Sequence, residues 1–163
     1  MEEFEKLTTE AYKSLQTADH LLYTTYPMVH DVKLLIKISE HTYMAMVLAM
    51  EGLLAYDYAY KRITSYKDDF NTKLDVFKLK SEPRYGIGRS YLLPLLELRE
   101  FLQQYKKSIM AFARKESYVV YGENYKQMRG ISLEKDKENL FTAKQFVEKI
   151  GRVTLNNARL SGR

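Results

Sequence analysis

Apolar residues between Asp31 and Ile63 fall on every side of a helix. Val32, Leu35, Ile38, Tyr43, Met46, Met50, Leu53, Tyr56 and their neighbours leave only Lys33, Lys37, Glu40 and Glu51 as a charged stripe. Met44 and Leu48 interrupt that stripe at its centre. A surface helix shows one apolar face, whereas a helix apolar all round must be covered all round. The pattern therefore predicts a central helix, Asp31 to Ile63, roughly 48 Å long by helical rise. Asp31 is the expected N-cap, its carboxylate accepting from free backbone N–H groups. Met44 and Leu48 are expected to be buried by another helix or by a second copy of the chain.

The other segments carry ordinary one-sided stripes. Phe4, Leu7, Ala11, Leu15, Ala18 and Leu22 keep helical spacing and predict a first helix from Glu2 to Thr25. Pro27 is expected to end it, since the residue before a proline is pushed out of the α region. Asp68 or Asp69 caps a third helix carrying Phe70, Leu74 and Phe77, which Ser81-Glu82-Pro83 should stop. Arg84 to Gly88 reads as a loop. A fourth helix starts near Ser90, because Pro94 is tolerated only in a first turn. Leu95, Leu98, Leu102, Tyr105 and Ile109 form its stripe. Tyr118-Val119-Val120-Tyr121 is strand-like and Gly122-Glu123-Asn124 turn-like, so a small hairpin is expected within 117–129. Ser132 caps a fifth helix with Leu140, Ala143, Val147 and Ile150 inward, and the polar tail Asn156 to Arg163 should fray. The expected fold is all-α, a single-domain bundle of five helices over residues 1–163 around a largely buried second helix.

Composition narrows the chemistry. The 163 residues include 14 Tyr, no Trp and no Cys, so disulfides and thiolate metal sites are excluded. The first residues carry Glu2, Glu3 and Glu5 where a secretory signal needs positive charge. The least polar window, Thr42 to Tyr56, is about 15 residues against the ~20 of a membrane span. A cytoplasmic protein without membrane contact is expected. Net charge is +5 and uneven: residues 1–82 hold 10 Lys/Arg against 13 Asp/Glu, and residues 83–163 hold 16 against 8. A basic half suggests a polyanionic partner.

No nucleophile motif, glycine-rich phosphate loop or metal-ligand spacing occurs, so no catalytic residue, metal or cofactor is assigned. His20, His30 and His41 are poorly spaced for a shared ion, and Glu40 and His41 are adjacent rather than on one helix face. The candidate functional segment is Gln103 to Gly130, where basic and aromatic residues interleave. Lys106, Lys107, Arg114, Lys115, Lys126 and Arg129 would neutralise phosphates, and Tyr118 and Tyr121 would stack on unpaired bases. The bland alternative is tyrosines packed on the bundle beside solvated lysines. A second aromatic–basic run, Tyr56, Tyr58, Tyr60, Lys61 and Arg62, closes the central helix, and its bland reading is the same.

The runs Leu22-Tyr23-Thr24-Thr25-Tyr26-Pro27, Asp31-Val32-Lys33-Leu34-Leu35, Ala45-Met46 through Tyr56-Asp57, Lys61-Arg62-Ile63, Phe112-Ala113-Arg114-Lys115 and Asn124-Tyr125 resemble an uncharacterised family of small all-α archaeal proteins. That resemblance spans most of the chain and implies the fold without an activity. More distantly the long-helix bundle resembles the HEPN superfamily, many of whose members are RNases with an Arg shortly before a His at a dimer seam. Here no Arg precedes any His, so the resemblance implies a non-catalytic relative. Two classes of function follow: a binding or scaffold module, dimeric and engaging RNA, single-stranded nucleic acid or another polyanion through its basic C-terminal half, or a nuclease-type enzyme. Convergent carboxylates, or His20 or His41 in a polar cleft, would favour the enzyme.

Overall fold

A computed structural model describes residues 1–107, 111–114, 116–121 and 128–161. In chain order the helices are α1 (Glu3–His20), α2 (Tyr26–Val29), α3 (Leu34–Ala59), α4 (Phe70–Val76), α5 (Glu82–Tyr85), α6 (Leu92–Lys107) and α7 (Leu133–Ser161). A three-stranded antiparallel sheet, β1 (Ala111–Arg114), β2 (Ser117–Tyr121) and β3 (Met128–Ser132), sits between α6 and α7. The fold is an all-α helical bundle carrying this small sheet. No helix among the described residues is long and apolar enough to cross a membrane.

α3 is the post of the bundle. Its buried residues run from Leu35 to Asp57 and include Ile38, Met46, Met50, Leu53 and Leu54. α1 packs against it antiparallel, Phe4 meeting Tyr56 edge-on at 5.1 Å between ring centroids. α7 runs antiparallel to α1: Thr154 hydrogen-bonds Thr8 at 2.9 Å, and Lys144 pairs with Asp19 farther along. Close approach needs a missing side chain. A Cβ on Gly52 would lie 2.8 Å from the buried Thr8 hydroxyl oxygen, so α1 and α3 touch where a glycine permits it. Phe77, Tyr91 and Phe146 close the core on the far side, with centroids 5.9 Å and 5.5 Å from the Phe146 ring.

Both prolines expected to stop helices lie inside helical turns instead. The path of α1 continues through a π-turn, Leu21–Thr25, into α2, which contains Pro27. α4 likewise continues through a π-turn, Phe77–Ser81, into α5, which contains Pro83. In a regular helix the proline ring strikes the carbonyl four residues back. Here the turn before each proline is widened, Tyr26 N–H reaching Leu21 O and Glu82 N–H reaching Phe77 O, which moves that carbonyl aside. Each path then ends on a left-handed residue, His30 with φ 55° and Gly86 with φ 60°. Sequence periodicity carries no mark of a π-turn, so both helical paths overrun the expected stops.

Other boundaries also move. α3 is shorter than Asp31 to Ile63, about 39 Å by helical rise. Asp31 caps a preceding turn through Lys33 N–H at 3.0 Å rather than the helix itself. The helix stops because Lys61 turns left-handed at φ 59° and Arg62 N–H reaches back to Asp57 O at 2.8 Å. The expected strand pairing is present as β2 and β3, Tyr121 with Met128 through Ser117 with Ser132, and the expected turn, Gly122-Glu123-Asn124, lies outside the described residues. The pair gains a third strand, β1, whose Ala-Phe-Ala-Arg sequence suits a helix and becomes a strand only by pairing with β2. α7 runs on to Ser161 instead of fraying from Asn156, there being no proline or glycine between Gly151 and Ser161 to stop it. Met44 is 48% exposed, so the expected cover over it is lacking within one chain, whereas Leu48 is half-buried against the core. Asp69 caps α4 through Thr72 N–H at 2.8 Å, and this bond lowers the Asp69 pKa. Ser132 caps α7 through Lys135 N–H at 3.1 Å.

One buried carboxyl is poorly served. Asp136, in the first turn of α7, is 1% exposed, and its only described partner is the Ser39 hydroxyl of α3, donating at 2.7 Å. Its second oxygen has no hydrogen-bond partner. Burial pushes this carboxyl up to about 8, against a smaller opposing pull from Ser39. The folded value lies above the unfolded 3.8, so the folded state holds the proton longer and stability falls as pH rises from 3.8 to about 8. The slope is at most about 1.4 kcal/mol per pH unit. Asp136→Asn should remove that fall and raise the melting temperature at pH 8, with little change at pH 3.5. Thermal unfolding across that pH range checks it, and parallel curves for the two proteins would refute it.

Candidate functional site

The C-terminal candidate spans the end of α6 and the three strands. Lys106 and Lys107 are exposed on the last turn of α6, where cations also complement the helix dipole. Tyr118, on β2, is half-buried, its ring meeting Tyr105 of α6 edge-on at 5.9 Å. Arg114 ends β1 opposite Ser117, Tyr121 ends β2 opposite Met128, and Arg129 pairs with Val120 on β3. Lys115 and Lys126 lie outside the described residues, as does Tyr125.

The second aromatic–basic run is built around a buried charge. Asp57, in the last turns of α3, is fully buried. A carboxylate there must be paired or hydrogen-bonded. Ser81, in the second π-turn, donates to Asp57 Oδ2 at 2.6 Å, and the Tyr85 hydroxyl of α5 donates to Oδ1. Arg84 Nη1 lies 3.4 Å from Oδ2, and Arg62 Nη1 lies 4.0 Å from Oδ1 while donating to the Tyr85 oxygen at 2.6 Å. Burial, then the bond to Asp57, pushes the Tyr85 phenol up to about 12, so it stays protonated and keeps donating. The Arg62 guanidinium also faces the rings of Tyr56 and Tyr60, 5.6 Å from each centroid. The π-turn and Pro83 set Ser81, Arg84 and Tyr85 on one side of the α3 terminus. One carboxylate thus fixes two guanidiniums whose side chains remain 41% and 34% exposed.

A third arrangement is an open groove of about 590 Å³ between α1 and α7. Tyr12, Gln16, Asp19 and His20 line one wall, Lys144 and Glu148 the other. Lys144 pairs with Asp19 and lies 5.8 Å from the Tyr23 centroid. Tyr12 donates to Glu148 at 3.4 Å, and Glu148 also pairs with Arg152 at 3.5 Å. Burial, then the Glu148 charge, raises the Tyr12 phenol. His20 therefore does sit in a polar groove with two carboxylates. Both carboxylates are already engaged by neighbouring side chains. The described residues hold no group of three His, Asp or Glu able to grip a metal ion.

Comparison with known proteins returns no matching family model, no matching curated protein and no matching solved structure. Asp57, Ser81, Arg84 and Tyr85 went unnoticed as functional side chains in the sequence. The available signal was Asp57 itself, an acid off the charged stripe of an apolar helix, which required buried partners.

Proposed function

We propose that this chain is a non-enzymatic binding or scaffold module that engages RNA or another single-stranded polyanion. The observation that carries this reading is the use of the buried polar groups. Thr8 with Thr154, Ser39 with Asp136, and Asp57 with Ser81 and Tyr85 each tie one helix to another, while Lys106, Lys107 and Lys61 are exposed and Tyr58 and Tyr60 are 54% and 46% exposed. The basic half contributes Lys106, Lys107, Arg114, Lys115, Lys126 and Arg129 as phosphate contacts, and Tyr121 as a stacking ring. The cytoplasm suits such a chain. A nuclease-type enzyme is the second reading, favoured by the one observation that His20, Asp19 and Glu148 share a groove.

Binding to a labelled oligonucleotide should weaken steeply with salt as counterions are released. Replacing Lys106, Lys107, Arg114 and Lys115 with Ala should weaken binding to all sequences alike and flatten the salt dependence, since phosphate contacts carry no sequence information. Anisotropy titrations at low and moderate salt check this. No binding at low salt to any RNA or DNA refutes it.

A homodimer is part of the proposal. Exposed Met44 and half-buried Leu48 interrupt the charged stripe of α3, and two-fold pairing would cover them. Light scattering at low micromolar concentration should give twice the 19.2 kDa of one chain, and Leu48→Asp should halve that mass. A wild-type mass of 19.2 kDa contradicts the dimer.

A further inference from the structure

We propose that the C-terminal end of α3 is itself a contact point for single-stranded nucleic acid, with the Tyr60 ring stacking on a base and the Arg62 and Arg84 guanidiniums taking phosphate oxygens. This rests on the polyanion reading and gives it a second, separate surface. Three features carry it. The first is charge: two guanidiniums share one carboxylate, so the cluster keeps an excess positive charge after its internal pairing. The second is preorganisation. Asp57, held by Ser81 and Tyr85, fixes Arg84, while Tyr85 and two aromatic rings fix Arg62, so little side-chain freedom is lost on binding. The third is the ring. Tyr60 is 46% exposed beside Arg62, whereas its neighbour Tyr56 is buried.

A base needs a half-open aromatic face, and its phosphate needs fixed N–H donors within one nucleotide's reach. The α3 terminus offers both, and Lys61 adds an exposed ammonium on the adjoining left-handed turn. The acidic start of α1 is also close, Phe4 bringing it against Tyr60 at 6.2 Å, while Glu82 beside Arg84 pairs with Arg89 at 3.8 Å. Glu5 of α1 is occupied by the Glu2 N–H at 2.9 Å. This end of α3 lies away from the sheet, because Asp136, just after β3, meets α3 at Ser39. Asp57 is about 27 Å farther along by helical rise. A strand bound here is therefore distinct from one bound at Lys106 and Lys107.

The test uses the full chain with a labelled oligouridylate. Ultraviolet crosslinking of the wild-type protein, read by mass spectrometry, should place crosslinks in the peptide holding Tyr60 to Arg62. Tyr60→Leu should weaken binding about tenfold with the salt slope unchanged, since stacking carries no charge. Arg84→Gln should lower the salt slope by about 0.7, one phosphate contact on a single strand. Lys61→Gly, which suits the left-handed turn, should lower the slope similarly without touching the Asp57 cluster. Inorganic polyphosphate should compete poorly, lacking bases. Crosslinks confined to residues 105–131, or unchanged affinity in all three variants, overturn this site while leaving the polyanion reading in place. Polyphosphate competing as well as the oligonucleotide overturns the stacking role and the proposal with it. Absence of any binding removes both.

Discussion

The rest of the structure follows from the need to cover most of the circumference of α3. A helix with this many apolar residues cannot rest on a single partner. α1 covers one flank, where Gly52 lets Thr8 approach, and α7 covers another, threading back beside α1. The π-turn segments carry this cover past two prolines. Had Pro27 and Pro83 ended their helices, Tyr26 would not reach the core, and Arg84 and Tyr85 would not stand over the end of α3. Coverage of the post and assembly of the Asp57 cluster thus depend on the same backbone device, used twice.

Buried polar contacts then fix which helices meet and where. Hydroxyl pairs and hydroxyl–carboxylate pairs add modestly to stability, but leaving one partner unmet inside the core is expensive. Thr8 and Thr154 set α7 against α1, Ser39 and Asp136 set α7 against α3, and Ser81 and Tyr85 set the segment after α4 against α3. Asp136 is the incompletely satisfied member. These contacts place the two aromatic–basic surfaces toward opposite ends of α3, so in the binding reading they would be two contact points rather than one patch.

Much of the architecture could be read from side-chain spacing. The all-round apolar run announced the central helix, Asp69 and Ser132 announced two helix starts, and Pro94 marked the first turn of α6. What escaped was non-periodic or non-local. A π-turn leaves no trace in a pattern, and a proline is correctly a stop signal in regular helices. β1 reads Ala-Phe-Ala-Arg and owes its conformation to pairing. The Asp57 cluster joins residues 24 and 28 positions apart through a path that depends on the second π-turn. Of the first candidate surface, Tyr118 meets Tyr105 edge-on, a contact between strand and α6 that spacing alone does not show.

Binding and catalysis differ in what happens to the nucleic acid. The groove of His20, Asp19 and Glu148 is the arrangement an enzyme would use, yet Lys144 and Arg152 already pair with its carboxylates. Cleavage needs a group free to move a proton, whereas binding needs only fixed charge and exposed rings. The decisive measurement follows an end-labelled single-stranded RNA held with excess protein for several hours, with and without added divalent cations. The binding reading predicts a retarded, intact RNA throughout. Progressive cleavage by the wild-type protein that is lost in His20→Ala would contradict it and make the α1–α7 groove an active site.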